Sequence, residues 1–216
     1  MDAAIGSRIL AQIEETTLEE ILSELRIPPS RLKKTHIPAL DAIANTHLRD
    51  TQSPTIALSG HGALPLLYKI ASTLLSPPHA KTLVVFDVDG RFDATRLACE
   101  SHDLQHLYIQ RPARSSTPEQ LRALVAEAEN FMLYEDESRP SRHREWWGTM
   151  VLGGLAAGDL TAGWKGWLRV DRSFVPPFAL DLSVHEAWLE RAQRQKAVDE
   201  AGWTATSQWG SFDFKE

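Results

Sequence analysis

"LVVFDVDGRFDATRL", residues 83–97, sets a short apolar run, Leu83 to Phe86, directly against an Asp-Val-Asp-Gly turn and a helix-like Phe-Asp-Ala-Thr-Arg-Leu. An apolar run of this length, bounded by turn residues, reads as a strand buried on both faces of a parallel sheet. Its acidic end admits two chemistries. Asp87 and Asp89 can be the nucleophile and the acid/base of a catalytic pair, or they can form a junction that only carries the chain from strand to helix. The remaining sequence decides between them.

Working outward, "TIALSGHGALPLLYKIASTLL", residues 55–75, reads as a strand, a glycine-containing turn and a helix. Pro77 and Pro78 break that helix before the strand at 82–88, which leads to a helix over about 93–101 and a strand in "HLYIQRP". Thr117, Pro118 and Gln120 form a capping box ahead of the stripe Leu121, Leu124, Val125, Ala128 and Phe131. "WWGTMVLGG" and "GWKGWLRVDR" read as two further strands around a glycine-rich loop. Ser183 with Glu186 caps a helix to about residue 200, and "WGSFDF" alternates like a closing strand. Strands alternating with helices imply an α/β domain with a mainly parallel sheet, and the helix-poor C-terminal part implies antiparallel strands. Ahead of this core, Ile9, Leu10, Ile13, Leu18, Ile21, Leu22 and Leu25 recur at helical spacing until Pro28 and Pro29. Residues 1–34 are therefore expected to form a short helical extension, and residues 35–216 the core.

The 216 residues, 43% hydrophobic and 24% charged, fit one folded domain of α/β size. A formal charge of -6 argues against an autonomous nucleic-acid binder, because neutralising phosphates takes a clustered excess of Lys and Arg. One cysteine, Cys99, cannot form an intramolecular disulfide and suits a reducing compartment. No apolar run reaches the length of a membrane span, and the first residues turn acidic before a signal sequence develops. These features leave the nucleus or the cytoplasm.

Asp-x-Asp-Gly at a strand end resembles the first motif of phosphatases of the haloacid-dehalogenase type, which implies magnesium-dependent phosphoryl transfer through Asp87 and Asp89. Arg91 replaces the Thr of that motif, and the later Ser or Thr, Lys and acidic pair that would hold phosphate and magnesium are not supplied in order.

A second resemblance covers about residues 35–110. Asp87, Phe92, Arg96 and Leu97 match the spacing of the strand and helix after the phosphate loop in eukaryotic RecA-type recombinases and their paralogues. "IPALDAIA" is similar to the Gly-Ile-x-x-Leu-Asp opening of those proteins, with His36 in place of Gly. "ALSGHGALPLLYKIA" resembles their Ser-Gly-x-x-Gly loop and Leu-Leu-Tyr helix, and "GWLRVDR" fits a later strand ending in Arg. The resemblance implies a RecA-like, phosphate-loop NTPase-type fold and a role among recombinase-type subunits in homologous recombination and DNA repair, in the nucleus. A working phosphate loop needs Gly-x-x-x-x-Gly-Lys-Ser/Thr, because amides wrap the phosphates, Lys reaches the outer ones and the hydroxyl holds magnesium. Here the vestigial nucleotide-site residues are Ser59, Gly60 and Gly62. The Lys and hydroxyl are missing, the loop is about three residues short of the family's pattern, and Pro65 removes an amide near the helix start. The strand "GTMVLGG" ends in Gly153 and Gly154 where the family places a metal-binding Asp. The expectation is a pseudo-ATPase without cofactor or metal.

The functional crevice of an open α/β sheet lies at the strands' carboxyl ends, here residues 59–63, 87–90, 110–114 and 153–165. DNA contact is expected to be weak, or to occur only within a complex, through Arg111, Arg114 and Lys165. Partner contact is assigned to Ile13, Leu18 and Leu25 of the N-terminal extension. All seven Trp lie at or after residue 146. Packing accounts for most of them, Trp188 included, although part of the cluster can serve as a partner anchor. Cys99, His102 and His106 approach ligand spacing without a fourth ligand, so no metal site is expected.

Overall fold

The computed structural model describes residues 32–113, 116–134, 141–153, 157–175 and 181–215. The chain divides into compact units at residues 1–31 and 32–216, and the second holds every described residue. Its elements in order are α1 (Pro38–Thr51), β1 (Ile56–Ser59), α2 (Ala63–Leu75), β2 (Thr82–Asp87), β3 (Leu107–Gln110), α3 (Pro118–Tyr134), β4 (Trp146–Leu152), β5 (Leu160–Ala162) and β6 (Leu168–Arg172). After these come α4 (Val184–Leu189), α5 (Arg191–Ala201), β7 (Trp203–Ser207) and β8 (Gly210–Phe214).

The eight strands form one sheet in the order β3-β2-β4-β5-β1-β6-β7-β8. Pairing is parallel from β3 through β6 and antiparallel from β6 to β8. This is the α/β sheet expected, parallel with an antiparallel C-terminal part. All six residues of β2 are buried, and they alternate between two cores. Leu83 and Val85 join the core under α1 and α2, whereas Val84 and Phe86 meet the Leu121, Val125, Ala128 and Met132 stripe of α3. The period of two along the strand therefore sends each face to its own helix layer.

Local chemistry accounts for the helix starts. Pro38 fits the first turn of α1, and Asp41 reaches back to accept the amides of Thr35 at 2.8 Å and His36 at 3.1 Å. The Thr117 capping box forms, with Thr117 N–H donating to Gln120 Oε1 at 2.8 Å. The Ser183–Glu186 box forms as well, but Glu190 separates α4 from α5, and neither helix has a buried residue.

Three expectations change. The helix over 93–101 is instead a 3₁₀ turn, Ala94–Arg96, followed by a second at Asp103–His106. The reason is competition for amides: Asp93 takes Thr95 N–H at 3.0 Å, and the Ala98 amide goes to Ser72 Oγ at 2.9 Å rather than to a helical carbonyl. "GWKGWLRVDR" is a strand only from Leu168, because the Trp167 indole turns away to donate to Thr55 O at 3.0 Å. Trp188 is not packing but 65% exposed, whereas Trp147 and Trp203 are buried.

Two polar clusters fasten the domain. Arg144, just before β4, donates to the buried Asp103 at 2.6 Å and to Leu75 O at the end of α2 at 2.8 Å. His47 of α1 stacks on Trp167 at 4.2 Å and meets Trp209 edge-on at 4.5 Å.

Candidate functional site

The β1–α2 turn, Ser59 to Ala63, stands at the carboxyl ends of the parallel strands, where ligands of open α/β sheets bind. Its backbone donors point inward. Gly62 N–H donates to Val170 O at 2.8 Å and Ala63 N–H to Gly60 O at 3.3 Å. The His61 N–H faces the carboxylate of Asp171 on β6. Arg169 Nε also binds that carboxylate, at 2.5 Å. The Arg169 bond first, and then its charge and the His61 amide, hold Asp171 below the usual carboxylate range against some opposition from burial. The turn's amides are thus all committed within the chain, one to the Asp171 carboxylate and two to backbone carbonyls, at the position from which a phosphate loop would hold its ligand.

The two glycines have packing reasons to be here. Gly60 has φ of +88°, and a Cβ on it would lie 2.3 Å from Val170 O. A Cβ on Gly62 would meet Val170 Cγ1 and Trp203 Cε3 at 2.5 Å each. The turn is pressed onto β6 and β7, and glycine serves that close approach as well as it would serve a phosphate. Ser59 Oγ is engaged with Gly166 O at 3.3 Å.

Around the turn lies a crevice of about 490 Å³, lined among others by His61, Asp89, Arg91, Trp164 and Arg169, with Gly153 at the end of β4. The structure therefore brings together described residues of the expected segments 59–63, 87–90 and 153–165, among them His61, Asp89, Gly153 and Trp164. Of the 110–114 segment, the described residues 110–113 are not part of this lining. Arg91 stands out in the sequence only where the phosphatase motif has Thr, and Arg169 and Asp171 belong to no site motif. The available signal was Arg169 and Asp171 two apart on one strand, which places both on one face.

Asp87 has no free oxygen. Oδ1 accepts Arg91 N–H at 2.8 Å, and Oδ2 accepts Phe92 N–H at 3.0 Å and Arg111 Nε at 3.2 Å. The residue is 1% exposed. A phosphoryl nucleophile must present a carboxylate oxygen in line with its substrate, whereas these oxygens secure the loop after β2. Asp89 is exposed, with Arg91 Nε at 3.5 Å.

Of the residues proposed for DNA, Arg111 also donates to Phe92 O at 2.9 Å, so it braces the same loop. Lys165 is exposed and lies over the Trp164 ring at 4.2 Å. Arg114 and the partner residues Ile13, Leu18 and Leu25 lie outside the described residues. Among the described residues no group of three His, Cys, Asp or Glu converges to hold a metal, and no helix is long and apolar enough to cross a membrane. Ser141, His106 and Tyr108 meet at 2.8 and 3.0 Å in a nucleophile-like cluster, but Ser141 is fully buried and out of reach of any substrate.

Comparisons with protein-family models, curated proteins and solved structures find no match to this chain.

Proposed function

We propose that the chain is a RecA-like, non-catalytic subunit of an assembly that assists homologous recombination and DNA repair in the nucleus. The observation that carries this reading is the β1–α2 turn, whose amides at His61, Gly62 and Ala63 are taken by Asp171, Val170 and Gly60. A nucleotide would have to displace a carboxylate already bound to Arg169 and find partners without the Lys or hydroxyl that normally meet the phosphates. The sheet supports the RecA-like part of the proposal, being parallel in its core and antiparallel at its end. So does the crevice, which gathers the β1–α2 turn and Gly153, the two places where the halves of an ATPase site would stand.

The repair role rests on the resemblance at Asp87, Phe92, Arg96 and Leu97, and the geometry gives Asp87, Phe92 and Leu97 a shared task. Asp87 holds the amide of Phe92, and Phe92 and Leu97 are buried under α2, where the Phe92 ring lies 5.3 Å from that of Tyr68. The spacing is thus explained by folding without any catalysis.

Affinity purification of the full chain from its own cells tests the proposal. Recombinase-type subunits are expected in stoichiometric amounts. Recovery without them, or magnesium-dependent hydrolysis of p-nitrophenyl phosphate abolished by Asp87→Asn, would overturn it.

A further inference from the structure

α3 buries one stripe of side chains and presents a second one outward. Leu121, Val125, Ala128 and Met132 meet the sheet. On the opposite side Ala123, Ala126, Glu127, Asn130, Phe131 and Tyr134 recur at steps of three and four, which places them on one face of the helix. All six are exposed. Phe131, assigned by its spacing to the inner stripe, is 37% exposed because Met132 takes the inward position, and Tyr134 is 80% exposed. Two aromatic rings on one face are more than the single scattered apolar residue an ordinary surface carries.

The order of side chains along this face is complementary to its own reverse. An antiparallel copy of α3, related by a two-fold axis between Ala128 and Glu129, sets each Tyr134 ring over the small Ala123 of the other copy. The same axis sets each Glu127 beside the other copy's Asn130. Large meets small at both ends, and in the middle a carboxylate meets an amide donor. Ala126 and Phe131 flank these layers. A parallel copy would instead oppose Glu127 to Glu127 and one Tyr134 ring to the other. Within the described residues neither the Glu127 nor the Asn130 side chain has a hydrogen bond or an ion pair, so both can turn to this contact.

We propose that this face of α3 pairs with the same face of a second copy of the chain, as an antiparallel, two-fold helix pair. Its size sets its strength. Four rings, even when fully covered, account for at most about 1,000 Å², below the roughly 1,200 Å² at which stable interfaces begin. The pair therefore forms at micromolar concentration and separates on dilution. It does not depend on the recombination reading, since it shares no residue with the β1–α2 turn or the crevice.

Sedimentation equilibrium of the full chain from about 1 to about 200 µM tests the proposal, a range that spans a weak interface of this size. A monomer–dimer equilibrium is expected, and Tyr134→Glu should weaken it by about tenfold or more. Asn130 reports the register, and its exposure lets the fold tolerate the change. Asn130→Glu faces the other copy's Glu127 and should weaken the dimer by about threefold or more, whereas Asn130→Lys supplies a cation there and should tighten it. Because each copy carries a formal charge of -6, raising salt from about 50 to about 500 mM should tighten the unmodified dimer. A chain that stays monomeric throughout, a dimer that Tyr134→Glu leaves unchanged, a dimer that salt dissociates, or Asn130→Glu and Asn130→Lys acting alike would overturn the proposal.

Discussion

Replacing Arg144 by Met should remove most of this domain's stability. The Arg144 side chain is 13% exposed and that of Asp103 is 1%, and they meet at 2.6 Å. Asp103 Oδ2 has no hydrogen-bond partner of its own, so the loss of Arg144 strands a buried carboxylate. His102 Nε2 at 3.2 Å, on a side chain 60% exposed, is poor compensation. Breaking a buried pair by removing one partner costs about 3–5 kcal/mol. Losing the donor to Leu75 O at the end of α2 adds about 1 kcal/mol. The total, roughly 4–6 kcal/mol, is comparable to the whole stability of a marginal domain. Asp103→Leu combined with Arg144→Met should recover all but about 1 kcal/mol, because the stranded charge is gone. Burial opposes the charge on Asp103, but Arg144 and His102 override it and hold the carboxyl below its ordinary 3.8. A depressed native-state pKa gives stability that is present above that value and is lost as the pH falls through the native one. The paired protein should therefore show an acid transition below about pH 4 that is smaller in the double variant. Urea unfolding at neutral pH measures the first effect. A loss under about 1 kcal/mol for Arg144→Met, or a double variant no better than the single, would refute the reasoning.

Three further outcomes are expected. Burial lowers the pKa of His47 below 6.5, against an opposing pull from the Ser53 backbone and Asp50. Its neutral form is therefore the native one, and stability should fall as pH drops through 6.5; His47→Phe, which keeps a ring on Trp167, should flatten the melting temperature between about pH 7 and 5. Trp188→Ala should change unfolding free energy by no more than about 0.5 kcal/mol, while Trp203→Ala, on a ring 9% exposed, should cost about 3–5 kcal/mol. The lone chain should bind single-stranded DNA poorly at physiological salt, and Arg111→Ala should lower thermal stability through the Asp87 loop more than it alters DNA affinity; nanomolar binding in a filter assay would contradict this.

What the sequence made legible follows from how locally each feature is encoded. The apolar run Leu83 to Phe86 and the Thr117 and Ser183 caps announce their elements because the deciding contacts lie within a few residues. The strand Leu160–Ala162 is too short to show a period, and it is buried only because β1 and β4 flank it. The 93–101 segment has helical spacing, but the Ser72 hydroxyl, 26 residues away, takes the amide a helix needs. In the site, the missing Lys and hydroxyl could be read directly. Asp171 could not, since its approach to His61 depends on β6 pairing beside β1. Trp188 illustrates the converse: a large apolar residue at helical spacing suggests packing, yet α4 buries no face against the described core.

The most direct test of the central claim is calorimetric titration of the full chain with ATP and magnesium. With the turn's amides committed to Asp171, Val170 and Gly60, binding should be no tighter than about 1 mM, or roughly 4 kcal/mol, and Asp171→Ala should not restore it because the Lys and hydroxyl remain missing. Micromolar, magnesium-dependent binding of ATP would contradict the account.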